Sequence, residues 1–157
     1  MKTTLLVVGK TVDKHIIALI DDYVQRCKHY ITFELEVIPD LKNNKNLSEA
    51  VQKEKEGEML LKSLQPGDYV VLLDEGGREM RSVEFAEYLK QKMNTLPRRL
   101  VFIIGGPYGF SEKVYQAAKE KMSLSRMTFS HQMVRLIFVE QLYRALSILA
   151  GSPYHHE

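Results

Sequence analysis

Short apolar runs alternate with segments of helical periodicity along the whole chain, and this alternation constrains the fold more than any other feature. Leu5 to Val8 is a continuous apolar run that reads as a buried strand. Ile16, Ile17, Leu19, Ile20, Tyr23 and Val24 then recur at helical spacing. Phe33 to Ile38 reads as a second strand that stops at Pro39. A polar loop over Asp40 to Asn46 precedes a helix from Ser48 to about Leu64, whose stretch Lys53 to Glu58 reads as a solvated face. Pro66-Gly67-Asp68 is a turn. Tyr69 to Leu73 follows as a strand ending in Asp74-Glu75-Gly76-Gly77, then a helix capped by Ser82 that runs through Met93. Leu100 to Ile104 is a strand ending in Gly105-Gly106-Pro107-Tyr108-Gly109, with a helix from Ser111 to about Met122 behind it. Ser123-Leu124-Ser125 is a candidate fifth strand.

The last helix carries the clearest pattern. Val134, Ile137, Phe138, Gln141, Leu142, Ala145, Ile148 and Leu149 fall at offsets 0, 3, 4, 7, 8, 11, 14 and 15, before Gly151 and Pro153 end the run. Strands alternating with helices predict a single α/β domain over residues 1–157 with a mainly parallel sheet. A chain of 157 residues can bury enough surface to fold without disulfides or a structural metal. Its one cysteine, Cys27, excludes an internal disulfide and reads as a packed thiol. His131, His155, His156 and Cys27 show no ligand-pair spacing, so no metal site is expected. No apolar run approaches the roughly 18 residues of a membrane span and no cleavable leader is visible, so the expected compartment is the cytoplasm. The net charge of +2 means that any nucleic-acid contact must rest on local charge.

In a parallel sheet ligands bind beyond the carboxyl ends of the strands, where both glycine loops lie. The second loop is no dinucleotide fingerprint. Its spacing is Gly-Gly-x-x-Gly, and about 20 residues on, where that motif places an acidic residue, the chain reads Ser123-Leu124-Ser125-Arg126. A phosphate-binding P-loop is also absent. These features predict a backbone-lined pocket for a nucleotide-like ligand. Before the last helix, Ser130 can cap and His131 begins the first turn. Arg135 and Arg144 lie off the apolar stripe, where phosphate contact is open to them. In the tail, Tyr154 offers a ring for stacking and His155 a hydrogen-bonding imidazole.

Gly105-Gly106-Pro107-Tyr108-Gly109, the run Ser123 to His131 with Gln132 and Arg135, Glu140-Gln141-Leu142-Tyr143-Arg144-Ala145 and the terminal Pro153-Tyr154-His155 together resemble one family. It is the bacterial 23S rRNA pseudouridine N3-methyltransferase family, the ribosomal RNA large-subunit methyltransferase H family of the SPOUT class. The resemblance covers the chain from Val8-Gly9-Lys10 through Lys55-Glu56-Gly57 to the tail. It implies a homodimer, a C-terminal trefoil knot (the SPOUT alpha-beta knot) within about residues 70–157, and S-adenosylmethionine as cofactor. By resemblance, Leu73, Gly105, Leu124, Ser125, Arg126, Met127, Thr128 and Phe129 touch the cofactor. His131, Arg144, Tyr154 and His155 face the target, with Arg144 stabilising charge and either His131 or His155 assisting proton removal. The implied substrate is 23S rRNA in the assembled ribosome, with Arg98, Arg99, Arg135 and Arg144 forming local basic patches in the dimer. The family usually has proline where this chain has Ser130. Two other readings fit the residues alone: an NADP-dependent α/β enzyme with Arg126 on a phosphate, and a non-catalytic RNA- or ribosome-binding module.

Overall fold

The computed structural model describes residues 1–41 and 46–156. The elements run β1 (Lys2–Val8), α1 (Lys14–Lys28), β2 (Thr32–Ile38), α2 (Glu49–Lys62), β3 (Tyr69–Glu79), α3 (Ser82–Thr95), β4 (Leu100–Ile104), α4 (Glu112–Ala117), β5 (Glu120–Ser123) and α5 (His131–Leu149). The five strands form one sheet in the order β2-β1-β4-β3-β5, with every neighbouring pair parallel. The expected α/β class with a parallel sheet is therefore what the chain adopts. Part of the expected Asp40–Asn46 loop, residues 42–45, lies outside the described residues.

Strand alternation sends Leu5 and Val7 to one face and Leu6 and Val8 to the other. Both faces are covered, so β1 and β4 read as unbroken apolar runs. On one face Leu5, Val7, Phe102 and Ile104 pack with Ile20, Val24, Phe85, Leu89, Phe138 and Leu142 from α1, α3 and α5. On the other, Leu6, Val8, Val101 and Ile103 pack with Leu60 and Val114 from α2 and α4. Cys27 is fully buried in the first layer; burial pushes its thiol up to about 12, so it is packed and inert.

Several boundaries differ from expectation. β3 does not stop at Leu73 but continues to Glu79, with a register shift against β5 between Leu73 and Arg78. α3 is capped at Arg81, whose amide donates to the Glu84 carboxylate at 3.0 Å; Ser82 is its first helical residue. The helix expected from Ser111 to Met122 ends at Ala117, because Ala118 turns extended and the Lys119 amide donates to the Val70 carbonyl at 2.8 Å. The fifth strand is accordingly Glu120–Ser123 and not Ser123 to Ser125. Within α2 the stretch expected to be solvated is so only in part: Glu54, Lys55 and Glu58 are exposed, but Glu56 and Gly57 are buried. Arg99 is buried too, bonded to Asp68 through Nε and Nη2 at 3.1 and 2.6 Å. It begins β4 at the amino end of the sheet, and with Arg98 on the Pro66 carbonyl these residues form no basic patch beside the strands' carboxyl ends.

Phe138 is fully buried, with its ring centroid 4.9 Å from Phe102 and 6.4 Å from Phe85. Phe138→Ala is expected to destabilise the fold by about 3–5 kcal/mol. Urea unfolding followed by circular dichroism measures it.

Candidate active site

Beyond the carboxyl ends of β3, β4 and β5 lies a cavity of about 400 Å³, within the range of ligand pockets. Three segments make its walls: Leu73 to Glu75, Ile104 to Phe110, and Ser123 to Phe129, closed by His131 and Val134 of α5. Of the residues expected to touch the cofactor, Leu73, Gly105, Leu124, Ser125, Met127, Thr128 and Phe129 all line it. Arg126 does not. Its side chain is 86% exposed and its Nε lies 3.4 Å from Glu79, so only its backbone belongs to the loop.

The loops are held by their own short polar side chains. Ser123 Oγ donates to the Ser125 carbonyl at 3.0 Å, and the Met127 amide donates to Ser125 Oγ at 3.0 Å. Thr128 Oγ1 donates to Glu75 Oε1 at 3.2 Å, joining the third segment to the end of β3. Ser130 caps α5 by accepting the Met133 amide, so the serine standing in the family's proline position still fixes the helix start. A Cβ on Gly105 would stand 3.0 Å from the Phe110 ring, itself a wall of the cavity. One on Gly106 would stand 2.3 Å from Glu56 Oε1, behind the loop. A side chain at Gly105 would crowd the Phe110 ring, and one at Gly106 would have to displace the Glu56 carboxylate.

The expected role of the other glycine pair changes. Gly76 and Gly77 lie within β3 and do not line the cavity. A Cβ on Gly77 would stand 2.5 Å from the Met122 amide nitrogen, so this glycine admits the β5 backbone and not a ligand.

The charge of the cavity narrows the ligand. Among the described residues its walls carry the carboxylates of Asp74 and Glu75 and the imidazole of His131, and no lysine or arginine. Asp74 accepts the Tyr115 hydroxyl at 2.8 Å and the Gly76 amide at 3.0 Å. Burial, then the bond to Asp74, pushes the Tyr115 phenol up to about 12. An apolar slot of Leu73, Ile104, Phe110, Leu124 and Val134 suits a planar base, and the carboxylates suit a cation over a phosphate. S-adenosylmethionine has both parts, and the residues present fit it. A phosphate-bearing dinucleotide finds no basic partner among the described wall residues, and the exposed Arg126 pairs with Glu79.

The expected target-side residues gather elsewhere. Arg144 donates from Nε and Nη2 to Glu140 Oε1 at 3.1 and 2.6 Å, and its Nη1 lies 3.2 Å from His155 Nδ1. Its guanidinium carbon sits 4.8 Å from the centroid of the Tyr154 ring. The Tyr154 hydroxyl donates to Glu140 Oε1 at 3.1 Å and lies 3.0 Å from Tyr23 Oη. Burial, the Tyr23 bond and the Glu140 charge hold its phenol well above the usual range. The tail is thus a packed element. Glu140 escaped the sequence reading, although its position one turn before Arg144 was the available signal. His131 and Arg144 are thirteen positions apart on one helix, so about 20 Å of axis separates the cavity from this cluster.

Arg135 is not at the surface. It is 2% exposed, and it donates from Nη2 to the Val8 carbonyl at 2.7 Å and from Nη1 to the Gly9 carbonyl at 2.8 Å and Thr11 Oγ1 at 3.0 Å. Desolvation lowers its pKa, which Asp40 partly opposes. Arg135 therefore fixes the β1–α1 connection instead of reaching a phosphate.

Fold and cavity define a methyltransferase of the SPOUT class. The family model described as a predicted SPOUT methyltransferase matches residues 1–155, and the chain belongs to that family. It is 71% identical over 157 residues, all of both chains, to the ribosomal RNA large subunit methyltransferase H of Bacteroides thetaiotaomicron. It is 69% identical, again over all of both, to the protein of the same name from Phocaeicola vulgatus. A solved probable methyltransferase from Bordetella pertussis shares the fold at a TM-score of 0.56, with 11% identity over 92% of this chain and 94% of that one.

Gly105→Val is expected to weaken S-adenosylmethionine binding by roughly 5- to 150-fold, the effect of about 1–3 kcal/mol of overpacking against Phe110. Calorimetric titration measures it, with circular dichroism confirming an intact fold.

Proposed function

We propose that this chain transfers a methyl group from S-adenosylmethionine to N3 of a pseudouridine in 23S rRNA on the assembled ribosome. The observation that carries this reading is the cavity, whose walls combine an apolar slot and carboxylates with no basic side chain among the described residues. The full-length identity to large-subunit rRNA methyltransferases supports the substrate class.

The cofactor brings the activated methyl and its own leaving group. The chain's part is to hold N3 in line with that methyl, to exclude water and to manage one proton. Gly105, Leu124 and Met127 bracket the cofactor, and Ser123, Ser125 and Thr128 keep the bracket in shape. Loss of the N3 proton leaves negative charge on the base carbonyls, and the Arg144 guanidinium stabilises it. Tyr154 supplies a stacking surface. His131 at the cavity wall and His155 beside Arg144 are the groups placed to take the proton.

One chain holds these two halves about 20 Å apart along α5, so a second copy must bring its tail to the cavity. The protein works as a homodimer in which Arg144, Tyr154 and His155 of one protomer complete the cavity of the other. The exposed side chains of Ile17, Leu19, Met133 and Leu149 on α1 and α5 provide apolar surface for that association. Residues 1–157 act as one domain, with the trefoil knot within about 70–157 and the Ser123–Phe129 segment as its final loop. Among the described residues no helix is long and apolar enough to cross a membrane, and the substrate places the enzyme in the cytoplasm.

Tritium from methyl-labelled cofactor is expected to enter 23S rRNA of ribosomes lacking the modification, as N3-methylpseudouridine in mapped nucleosides. Label in another nucleoside, or none, contradicts the reading. Mixing Gly105→Val and Arg144→Ala protomers, at a cofactor concentration that saturates wild type and leaves Gly105→Val largely unloaded, is expected to restore roughly a quarter of wild-type activity by random pairing. No recovery contradicts the shared site.

A further inference from the structure

We propose that the β1–α1 loop, Gly9 to Asp13, is a preformed rRNA-docking surface beside the cavity mouth, with the Lys10 ammonium taking a backbone phosphate. The proposal rests on the rRNA substrate reading.

The loop's backbone is tied down along its length. The Gly9 amide donates to the Ile38 carbonyl at 2.7 Å, and Gly9 takes the positive φ of 79° that the turn needs. Arg135 holds the Val8 and Gly9 carbonyls and the Thr11 hydroxyl from beneath. Gln132 Oε1 accepts the Val12 amide at 2.7 Å, and its Nε2 donates to the Lys10 carbonyl at 3.4 Å. Asp13 ends the loop by capping α1, accepting the amides of His15 and Ile16 at 2.9 and 3.1 Å.

The side chains of this fixed loop face water. Val12 is 78% exposed, and Lys10, Lys14 and His15 are exposed beside it. Burying a guanidinium against uncharged oxygens costs free energy that an ordinary surface turn does not require. A rigid loop with solvated side chains gains by losing little entropy when a partner arrives. Position names the partner: Gln132 adjoins His131, a wall of the cavity, so an RNA strand presenting its base there passes this loop. Charge agrees, since the Asp13 carboxylate is engaged by α1, the Asp40 carboxylate lies against Gly9 and beside the buried Arg135, and the exposed Lys10 faces water to meet phosphate. Arg135, the arginine that the sequence suggested for phosphate contact, instead holds the residues on either side of the lysine that makes it, Gly9 and Thr11.

The test compares Lys10→Ala, Lys10→Glu and a distant exposed lysine control, Lys90→Glu on α3, with undermethylated ribosomes as substrate. Lys10→Glu is expected to raise KM for ribosomes about five- to tenfold with kcat and cofactor affinity unchanged. Lys10→Ala is expected to reduce the slope of log affinity against log salt by about 0.7–0.9, one phosphate contact. A KM within twofold of wild type, or an equal rise in Lys90→Glu, overturns the proposal while leaving the substrate reading intact. A wild-type chain that methylates no ribosomal RNA overturns both.

Discussion

The site depends on the close passage of β5 against β3. At Gly77 a side chain would stand 2.5 Å from the Met122 amide nitrogen, so β5 can seat only where β3 carries no Cβ. Seating β5 at the sheet edge directs Ser123 to Phe129 back across the ends of β3 and β4. The Gly105 loop, Leu73 and that returning segment then face one another across the cavity. Each wall is bonded to another element or to itself, through Thr128 to Glu75, Tyr115 to Asp74, Ser123 to Ser125 and, in the Gly105 loop, the Gly109 amide to the Gly106 carbonyl. The pocket is therefore fixed by backbone approach and short polar bonds, which suits a cofactor bound largely through backbone groups.

Helix α5 divides the chemistry. Its first turn supplies His131 to the cavity and uses Gln132 and Arg135 to clamp the β1–α1 loop. Its third and fourth turns carry Glu140 and Arg144, onto which Tyr154 and His155 fold. In one chain Arg144 is already neutralised by Glu140 at 2.6 Å. To stabilise a developing oxyanion it must keep donors free for the base. Its Nη1, in contact with a histidine ring and not the carboxylate, offers one.

Much of this was legible in residue pattern. Runs buried on both faces announce a parallel sheet, and Leu5 to Val8 of β1 and Leu100 to Ile104 of β4 obey. The apolar stripe and Ser130 locate α5, and the motif runs that mark the family name eleven of the cavity's wall residues. What stayed hidden has physical causes. β5 is four residues at a sheet edge, without strand alternation, and reads as the end of a helix. Arg135 sits off the stripe because periodicity sees only the apolar side of α5; its second buried side is a wall of carbonyl oxygens from a loop more than 120 residues away. Gly77 looked like a ligand glycine because sequence cannot tell which backbone comes close. Glu56 lay in a run of charges, and only the fold turns it under Gly106.

The central claim is that the cavity at the strand ends is built for a cationic methyl donor and not for a phosphate-bearing nucleotide. Calorimetric titration of the intact protein with S-adenosylmethionine and, separately, with NADPH tests it most directly. The account predicts saturable binding of S-adenosylmethionine and no detectable heat from NADPH. Saturable NADPH binding with none for S-adenosylmethionine would contradict it.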